Sequence, residues 1–209
     1  MMLVISYLAG SIPTAIIYGK LTRGIDIRQH GSGNAGATNV FRVLGWKAGV
    51  LVLLIDMAKG LIATIWFYKI GTGSFIGNME LLKIMAGMSA IFGHIWTVFA
   101  GFKGGKGVGT GAGMIIGLVP GAVLAGVAVF LLAVALTRWV SLGSILASIT
   151  VPVYLFLKRF LLMLPVSTTL LIFSLLIPVL IIFTHRSNIK RLLNCSENKI
   201  TFKKSTERG

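Results

Sequence analysis

Acidic residues are scarce in this 209-residue sequence, where five Asp and Glu stand against 20 Lys and Arg and give a formal charge of +15. Charged residues make up only 12% of the chain, whereas soluble domains carry about 25%. Hydrophobic residues make up 56%, and the mean hydropathy is +0.91. This apolar composition excludes an ordinary soluble enzyme and a disordered chain. The single cysteine, Cys195, excludes an internal disulfide.

Lipid is the solvent that this composition predicts, and a membrane-spanning helix needs about 20 mostly apolar residues. The sequence lacks the alternation of barrel strands, so helices are the expected spanning elements. We predict an all-α integral membrane protein that forms one polytopic domain, 1–209, with about seven transmembrane helices. The predicted spans are 3–21, 46–68, 81–100, 107–119, 121–137, 140–157 and 162–184. The fourth is short, and Pro120 follows it, so a kinked span or a re-entrant segment is an alternative there.

The basic residues predict the orientation, because Lys and Arg concentrate in cytoplasmic loops. With seven spans and the N-terminus outside, four cations lie outside: Lys69, Lys83, Lys158 and Arg159. Fifteen lie inside: Lys20, Arg23, Arg28, Arg42, Lys47, Lys103, Lys106, Arg138, Arg186, Lys190, Arg191, Lys199, Lys203, Lys204 and Arg208. We therefore expect an external N-terminus and a cytoplasmic C-terminus. Lys199, Lys203 and Lys204, near the C-terminus, are expected to bind anionic lipid.

Three polar, glycine-rich or basic stretches fall on the cytoplasmic side of this topology. The first polar stretch is 31–42, the second is 93–110 and the third is 185–192. Glycines let backbone N–H groups converge on an anion, and a helix N-terminus adds its dipole. In the first stretch, neutral donors and one guanidinium accompany the glycines, which suits phosphate. The alternative is a flexible polar loop; a dinucleotide fingerprint is rejected because the sequence lacks the βαβ context it requires.

The second stretch places Lys103 and Lys106 around Gly104 and Gly105, again a set of donors that suits phosphate. It does not match the Walker pattern, and its alternative function is positive-inside anchoring. In the third stretch, helical spacing puts His185 and Asn188 on one side, which favours a site over a basic cluster that only binds lipid.

Other polar residues are open to two interpretations. Asp56 and Lys59, at i and i+3 in the second predicted span, form either a structural ion pair or a functional one. His94 is a candidate ligand or base; alternatively, it only caps the helix bundle at the level of the lipid headgroups. Ser141 is a helix cap or a further residue of the same site. The few histidines and acids offer no metal-ligand spacing, so we expect no metal.

Taken together, the three stretches resemble the bacterial acyl-phosphate:glycerol-3-phosphate acyltransferases of the PlsY type. The resemblance rests on Gly31-Ser32-Gly33-Asn34-Ala35-Gly36-Ala37-Thr38-Asn39 with Arg42; on Gly93-His94, Trp96, Val98-Phe99 and Phe102-Lys103-Gly104-Gly105-Lys106-Gly107; and on His185-Arg186, Asn188-Ile189 and Arg191-Leu192. The chain departs from the family pattern at Thr97, where Pro is usual, and at Cys195, where Gly is usual.

The resemblance implies a reaction at the cytoplasmic face of the bacterial inner membrane. A fatty acyl group passes from acyl-phosphate to the 1-hydroxyl of sn-glycerol 3-phosphate, which gives lysophosphatidic acid and phosphate, without a cofactor. The expected phosphate ligands are Gly31, Gly33, Thr38, Asn39, Arg42, Lys103, Gly104, Gly105, Lys106 and Arg186. The expected catalytic residues are Ser32, Asn34, His185 and Asn188, with either His185 or a phosphate oxygen as the base.

The implied partners are the two substrates, the bilayer and the soluble enzyme that makes acyl-phosphate; nucleic acid is not expected. An acid-poor face is expected around the site, because carboxylates would repel both substrates. A transporter for small anions or phosphate esters is the alternative function. Transporters usually place their sites near the membrane midplane, whereas these polar stretches lie at one face.

Overall fold

The computed structural model describes residues 1–73 and 77–200, and these residues form ten α-helices and no strand. The helices are α1 Met2–Ser11, α2 Thr14–Arg23, α3 Ala37–Leu44, α4 Trp46–Ile65, α5 Met79–Ile95, α6 Val108–Leu118, α7 Pro120–Thr137, α8 Val140–Phe156, α9 Thr168–Thr184 and α10 Arg186–Leu193. Short 3₁₀ turns cover Ile27–Gln29, Phe67–Gly71 and Val98–Ala100, and a π-helical turn covers Leu157–Leu161. The predicted all-α class is confirmed.

Five helical segments of the described chain are long and apolar enough to cross a membrane: Met2–Arg23, Trp46–Gly71, Met79–Ala100, Pro120–Thr137 and Val140–Leu161. The bent pair Thr168–Thr184 and Arg186–Leu193 makes a sixth when it is counted as one span. The chain is therefore a multi-pass integral membrane protein.

The fourth predicted span, 107–119, differs from the others because α6 has only 11 residues. At 1.5 Å per residue such a helix is about 16 Å long, roughly half of the hydrocarbon thickness. Val119 separates it from α7, which begins with Pro120 in the first helical position. The segment is thus a separate short helix and not one half of a continuous kinked span.

Two further predicted spans are interrupted. The first breaks between α1 and α2 at Pro13, whose ring nitrogen has no hydrogen to donate to a continuous helix. The last begins at Thr168 and not at residue 162, and it ends in a 65° bend at His185. The third stretch therefore forms an elbow, and His185 sits at the bend while Asn188 lies in the next helix.

Neighbouring helices approach closely where a glycine of one helix faces the backbone of the other. A Cβ added at Gly60 of α4 would lie 2.0 Å from the Thr110 carbonyl oxygen, and one at Gly113 of α6 would lie 1.8 Å from that of Met57. Gly10 and Gly93 make the same reciprocal contact between α1 and α5. Small residues allow such approach in lipid, where packing and not the hydrophobic effect drives helix association.

The polar loops gather at one end of the bundle. Arg28 pairs with Asp26 at 2.7 Å and also donates to the carbonyl of Ala100 at 3.0 Å, which joins the first loop to the second stretch. The Arg28 hydrogen bond lowers the pKa of Asp26 to about 2. At the opposite end, Ser167 donates to Glu80. The candidate site residues line a cavity at the first of these ends.

We predict that Gly113→Ala destabilises the bundle, because the new methyl group would overlap the Met57 carbonyl oxygen. Overpacking typically costs about 1–3 kcal/mol, so the Tm of the detergent-solubilised protein should fall by about 5 °C. Gly77→Ala is the matched control, since a Cβ there meets nothing within 4 Å. Equal melting temperatures for the two variants would contradict this account of the α4–α6 contact.

Candidate functional site

A cavity of about 460 Å³ lies where the three polar stretches meet. Its polar floor is lined by Ser32, Asn34, Thr38, Asn39, Arg42, Lys106, His185 and Asn188, and also by His94, Ser141 and Glu197. An apolar arm continues from this floor between α6, α7, α8 and α9. The arm is lined by Ile115, Val123, Val127, Phe130, Val151 and Ile177, among others.

Asn39 holds the first stretch in shape. Its side-chain oxygen accepts from the Ser32 backbone N–H at 2.8 Å, and its nitrogen donates to the carbonyls of Ile27 and His30, both at 2.9 Å. Both amide hydrogens are thus used within the protein, so Asn39 has none left for a phosphate. Its expected role as a phosphate ligand is replaced by a role in positioning the loop.

The glycines of this loop serve its conformation. Gly31 and Gly33 have φ of +61° and +72°, which side chains rarely adopt. A Cβ at Gly31 would lie 2.3 Å from the Asn39 side-chain oxygen, and the Gly33 N–H donates to the carbonyl of His30 at 3.1 Å. The N–H groups that reach the cavity without helical partners are instead those of the first turn of α3, Ala37 and Thr38.

Arg42 projects from α3 into the floor. One of its terminal nitrogens donates to the Asn198 carbonyl at 3.3 Å, while its buried Nε has no hydrogen-bond partner among the described residues. Burial lowers the pKa of this guanidinium. A buried, unpartnered N–H on a cation is a ready donor to an anion, which agrees with the expected phosphate contact.

The second stretch uses its glycines for close packing. Gly104 and Gly105 donate their N–H groups to the carbonyls of Ile95 and His94, both at 3.0 Å. A Cβ at Gly104 would lie 2.0 Å from the His94 carbonyl oxygen. These two N–H groups are therefore occupied, and the expectation that they bind phosphate is replaced. The first turn of α6, which follows Gly107, supplies unpaired N–H groups at the cavity instead.

Lys106 reaches the floor, where its ammonium donates to the side-chain oxygen of Asn188. The Asn188 nitrogen in turn donates to Glu197 at 2.7 Å. Burial lowers the pKa of Lys106 to about 8, against the opposing attraction of Glu197. Lys106 is thus a cation held beside, but not directly on, a carboxylate.

Glu197 is a residue of the cavity that the sequence analysis missed. The buried carboxylate accepts from Ser141 at 3.0 Å, from Asn188 at 2.7 Å and from Arg191 at 2.8 Å. Burial alone would raise the pKa of Glu197, but these hydrogen bonds outweigh it and lower the pKa, so the group stays ionised. The expected acid-poor site is therefore wrong in this respect: the carboxylates of Glu197 and Asp56 both line the cavity.

A turn at Cys195 brings Glu197 back to the cavity. Cys195 has φ +51°, a left-handed conformation in which glycine is favoured. The turn is closed by hydrogen bonds from the N–H groups of Cys195 to the Leu192 carbonyl and of Ser196 to the Arg191 carbonyl. The cysteine thus occupies a glycine-type backbone position, and the turn forms without glycine.

His185 is neutral at the elbow between α9 and α10. Its Nδ1 lies 2.8 Å from the carbonyl of Ile181, so Nδ1 carries the proton and Nε2 is left as an acceptor. Burial, together with the charge of Lys106, lowers the pKa of His185 to about 4. A neutral imidazole can accept a hydrogen bond from a hydroxyl group, but it cannot bind phosphate as a cation.

A second cavity of about 180 Å³ adjoins the first, and Asn34 and Lys106 line both. Lys103, Gly104, Gly105 and Arg186 lie there and do not line the main cavity. The guanidinium of Arg186 stacks 4.8 Å from the Phe183 ring centroid. The expected ligands are therefore divided between two neighbouring spaces.

The family model for glycerol-3-phosphate acyltransferase matches residues 1–195. The chain belongs to the glycerol-3-phosphate acyltransferase family. It is 49% identical to the glycerol-3-phosphate acyltransferase of Chlorobaculum tepidum, over 96% of this chain and 95% of the relative. It is 50% identical to that of Chlorobaculum parvum, over 95% and 94%.

The fold is that of a solved member of the family. The crystal structure of PlsY (YgiH), an integral membrane glycerol 3-phosphate acyltransferase, superposes in its glycerol 3-phosphate form with a TM-score of 0.82 and 37% identity. That match covers 96% of this chain and 94% of the PlsY chain. The lysophosphatidic acid form gives a TM-score of 0.80 at the same identity. The resemblance to PlsY-type enzymes is confirmed, and the chain is an acyltransferase.

The pKa of Lys106 predicts how this acyltransferase depends on pH. In the phosphate-binding role expected for Lys106 the ammonium must be charged, and it loses its proton as the pH rises through about 8. We expect the KM for at least one phosphorylated substrate to change little near pH 7 and to rise about ten-fold per pH unit well above pH 8. Steady-state kinetics between pH 6 and 9.5 would measure this.

Lys106→Arg is the matched control, because a guanidinium stays charged over this range. The KM of this variant should not change with pH over this range, even if it is higher than the KM of the wild type. Glu197→Gln should move the rise to lower pH, because the carboxylate supports the charge of Lys106. A wild-type KM that is flat up to pH 9.5 would remove Lys106 from phosphate binding.

Proposed function

We propose that the protein transfers a fatty acyl group from acyl-phosphate to the 1-hydroxyl of sn-glycerol 3-phosphate. The products would be lysophosphatidic acid and phosphate, in the first acylation step of phospholipid synthesis. The observation that carries the proposal is a cavity whose cationic floor continues into an apolar arm. The floor suits the phosphate groups of two substrates, and the arm suits a fatty acyl chain.

The transfer needs little covalent chemistry from the protein, because acyl-phosphate is already an activated donor. The oxygen of the acceptor hydroxyl bonds to the acyl carbon, the bond from that carbon to the phosphate oxygen breaks, and the hydroxyl proton passes to the departing phosphate. Nε2 of His185 would accept a hydrogen bond from the hydroxyl and orient it. A base with a pKa of about 4 is weak, which favours the phosphate oxygen as the final proton acceptor.

The carbonyl oxygen gains negative charge as the new bond forms. The Ser32 hydroxyl, the Asn34 amide and the first-turn N–H groups of α3 border the same space and would donate to it. Arg42 and Lys106 would hold the phosphates. Asn188 links Lys106 to Glu197, so its proposed role changes from contact with the substrate to positioning.

A transporter for small anions or phosphate esters is the alternative, but a small polar anion has no use for the apolar arm. Purified protein in liposomes should convert palmitoyl-phosphate and labelled glycerol 3-phosphate into labelled lysophosphatidic acid, and palmitoyl-CoA should not replace the donor. Ser32→Ala and His185→Ala should lower kcat by about a hundred-fold with little change in KM. Accumulation of labelled glycerol 3-phosphate inside the vesicles, with no acylated product, would instead support transport.

We further propose that the chain crosses the membrane seven times, with the short helix α6 as the fourth crossing in chain order. Lys106 precedes α6 and Thr184 ends α9, yet the Thr184 hydroxyl donates to the Lys106 carbonyl at 3.0 Å. Residues in contact lie on the same side, so the chain between them crosses an even number of times. Since α7, α8 and α9 account for three crossings, α6 is needed for the fourth.

The charge bias supports a cavity that opens on the cytoplasmic face of a bacterial cell membrane. Fifteen of the 20 cations lie on the side of the site in this topology. Both substrates, and the soluble enzyme that would supply acyl-phosphate, would then be on the same side as the site. Lys203 and Lys204, expected to bind lipid, lie outside the described residues.

Cys195 provides a native probe of this orientation, because it is exposed, free and close to the site. A membrane-impermeant maleimide should not label Cys195 in intact cells but should label it in inverted vesicles. In a Cys195→Ser background, Thr72→Cys should show the opposite pattern, since Thr72 is exposed at the other end of the bundle. Labelling of Cys195 from outside intact cells would overturn the orientation.

A further inference from the structure

At the edge of the cavity, which Asp56 and His94 both line, lies a buried polar group that the proposed reaction does not use. Lys59 donates to Asp56 at 2.6 Å and to the Ile12 carbonyl at 2.6 Å, while Thr14 donates to the same Asp56 oxygen at 3.0 Å. Asp56 and Lys59 are 3% and 7% exposed. The predicted ion pair is present, and it also binds the break between α1 and α2 to the middle of α4.

His94 connects this pair to the second stretch. Its Nδ1 lies 3.7 Å from the Asp56 carboxylate oxygen, and the side chain is buried at the C-terminal end of α5. On the other side of the ring, a Cβ added at Gly105 would lie 2.1 Å from Nε2. The imidazole is therefore wedged between a fixed carboxylate and the backbone of Gly105.

The ring explains why residue 105 is a glycine. Gly105 is not among the residues with positive φ, so its backbone conformation does not require glycine. Its N–H donates to the carbonyl of His94 at 3.0 Å, which draws the chain against the imidazole. The absent side chain thus makes room for His94 itself.

Gly105 directly precedes Lys106, and Lys106 is also tethered beyond it. The Thr184 hydroxyl donates to the Lys106 carbonyl at 3.0 Å, and Gly107 begins α6 with φ +85°. The backbone is thus held by His94 before Lys106 and by Thr184 at Lys106 itself. A shift of Gly105 would therefore change the position of the Lys106 side chain relative to Arg42 and His185. A misplacement of about 1 Å at a catalytic centre can cost a hundred-fold in rate.

We propose that His94, held by the buried Asp56–Lys59 pair, is a positioning residue that sets the place of the Lys106 ammonium for substrate phosphate. This role rests on the proposed function. Although His94 lines the cavity, the role assigned to it is indirect: its ring fixes the position of the loop that carries Lys106 relative to α4 and α5. The competing account is that the three residues only hold the helices together.

A set of variants distinguishes these accounts by kinetics on the full-length enzyme, with palmitoyl-phosphate and glycerol 3-phosphate as substrates. His94→Ala and Gly105→Ala should each raise the KM for a phosphorylated substrate about three- to ten-fold, with a smaller change in kcat. The double variant should be no worse than His94→Ala alone, because removal of the ring also removes the overlap with a Cβ at residue 105. In a Lys106→Ala background, His94→Ala should change KM no further.

Thr64→Val is the matched control. Thr64 is fully buried on the same helix as Asp56, and its hydroxyl donates within that helix to the Gly60 carbonyl. This variant should keep the wild-type KM. Thermal melting of each purified variant separates a loss of folded protein from a change in KM.

Two results would overturn the positioning role. One is an unchanged KM in His94→Ala with only a lower melting temperature, which would make the contact structural. The other is additivity of His94→Ala with Lys106→Ala, which would mean that the two residues act independently. A wild-type enzyme that forms no lysophosphatidic acid would instead overturn the proposed function, and the role of His94 with it.

Discussion

The carboxylate of Glu197 is the negative charge on which the cationic floor of the cavity depends. Lys106, Arg42 and Arg191 all lie within its electrostatic reach, and partly buried cations at such distances repel one another. An ionised carboxylate among them offsets this repulsion, but only if its own burial is offset by hydrogen bonds. Donors from α8 and α10 supply those bonds, so the start of α8, the elbow after α9 and the tail must meet for the site to exist.

The sequence predicted those parts of the site that runs of similar residues mark, and it missed those that depend on single residues. Apolar runs predicted the helices, and runs of glycine and cations predicted where the polar residues converge. Glu197 was missed because a lone acid six residues after Arg191 has no local pattern. It reaches the cavity only through the left-handed turn at Cys195, and a cysteine gives no sequence signal for that conformation. The 65° bend at His185 was missed for a related reason, since an apolar run that continues into a basic one does not show a break.

The glycine-rich stretches meet at one cavity, as predicted, but several of their glycines have a different role from the one that we expected. We expected their N–H groups to bind phosphate, yet Gly33, Gly104 and Gly105 donate theirs to carbonyls of the protein. Glycine is needed at residues 104 and 105 because neighbouring atoms leave no space for a Cβ. A composition rich in glycine cannot distinguish a free backbone from a crowded one, because both exclude side chains. The unpaired donors are at the starts of α3 and α6, where every helix leaves its first N–H groups without partners.

Asn188 explains how a carboxylate can support the site without blocking it. A direct ion pair between Glu197 and Lys106 would have to be broken before the ammonium could bind a phosphate. The amide stands between them: its nitrogen donates to Glu197, and its oxygen accepts from Lys106. A neutral acceptor is a weaker partner for an ammonium than an ionised one, so a phosphate dianion can take its place. In the proposed reaction the same separation would favour product release, because Lys106 would return to Asn188 when the phosphate leaves. The two phosphorylated substrates of the proposed reaction are therefore compatible with a buried carboxylate in one cavity, since the amide keeps the attraction of Glu197 for Lys106 indirect.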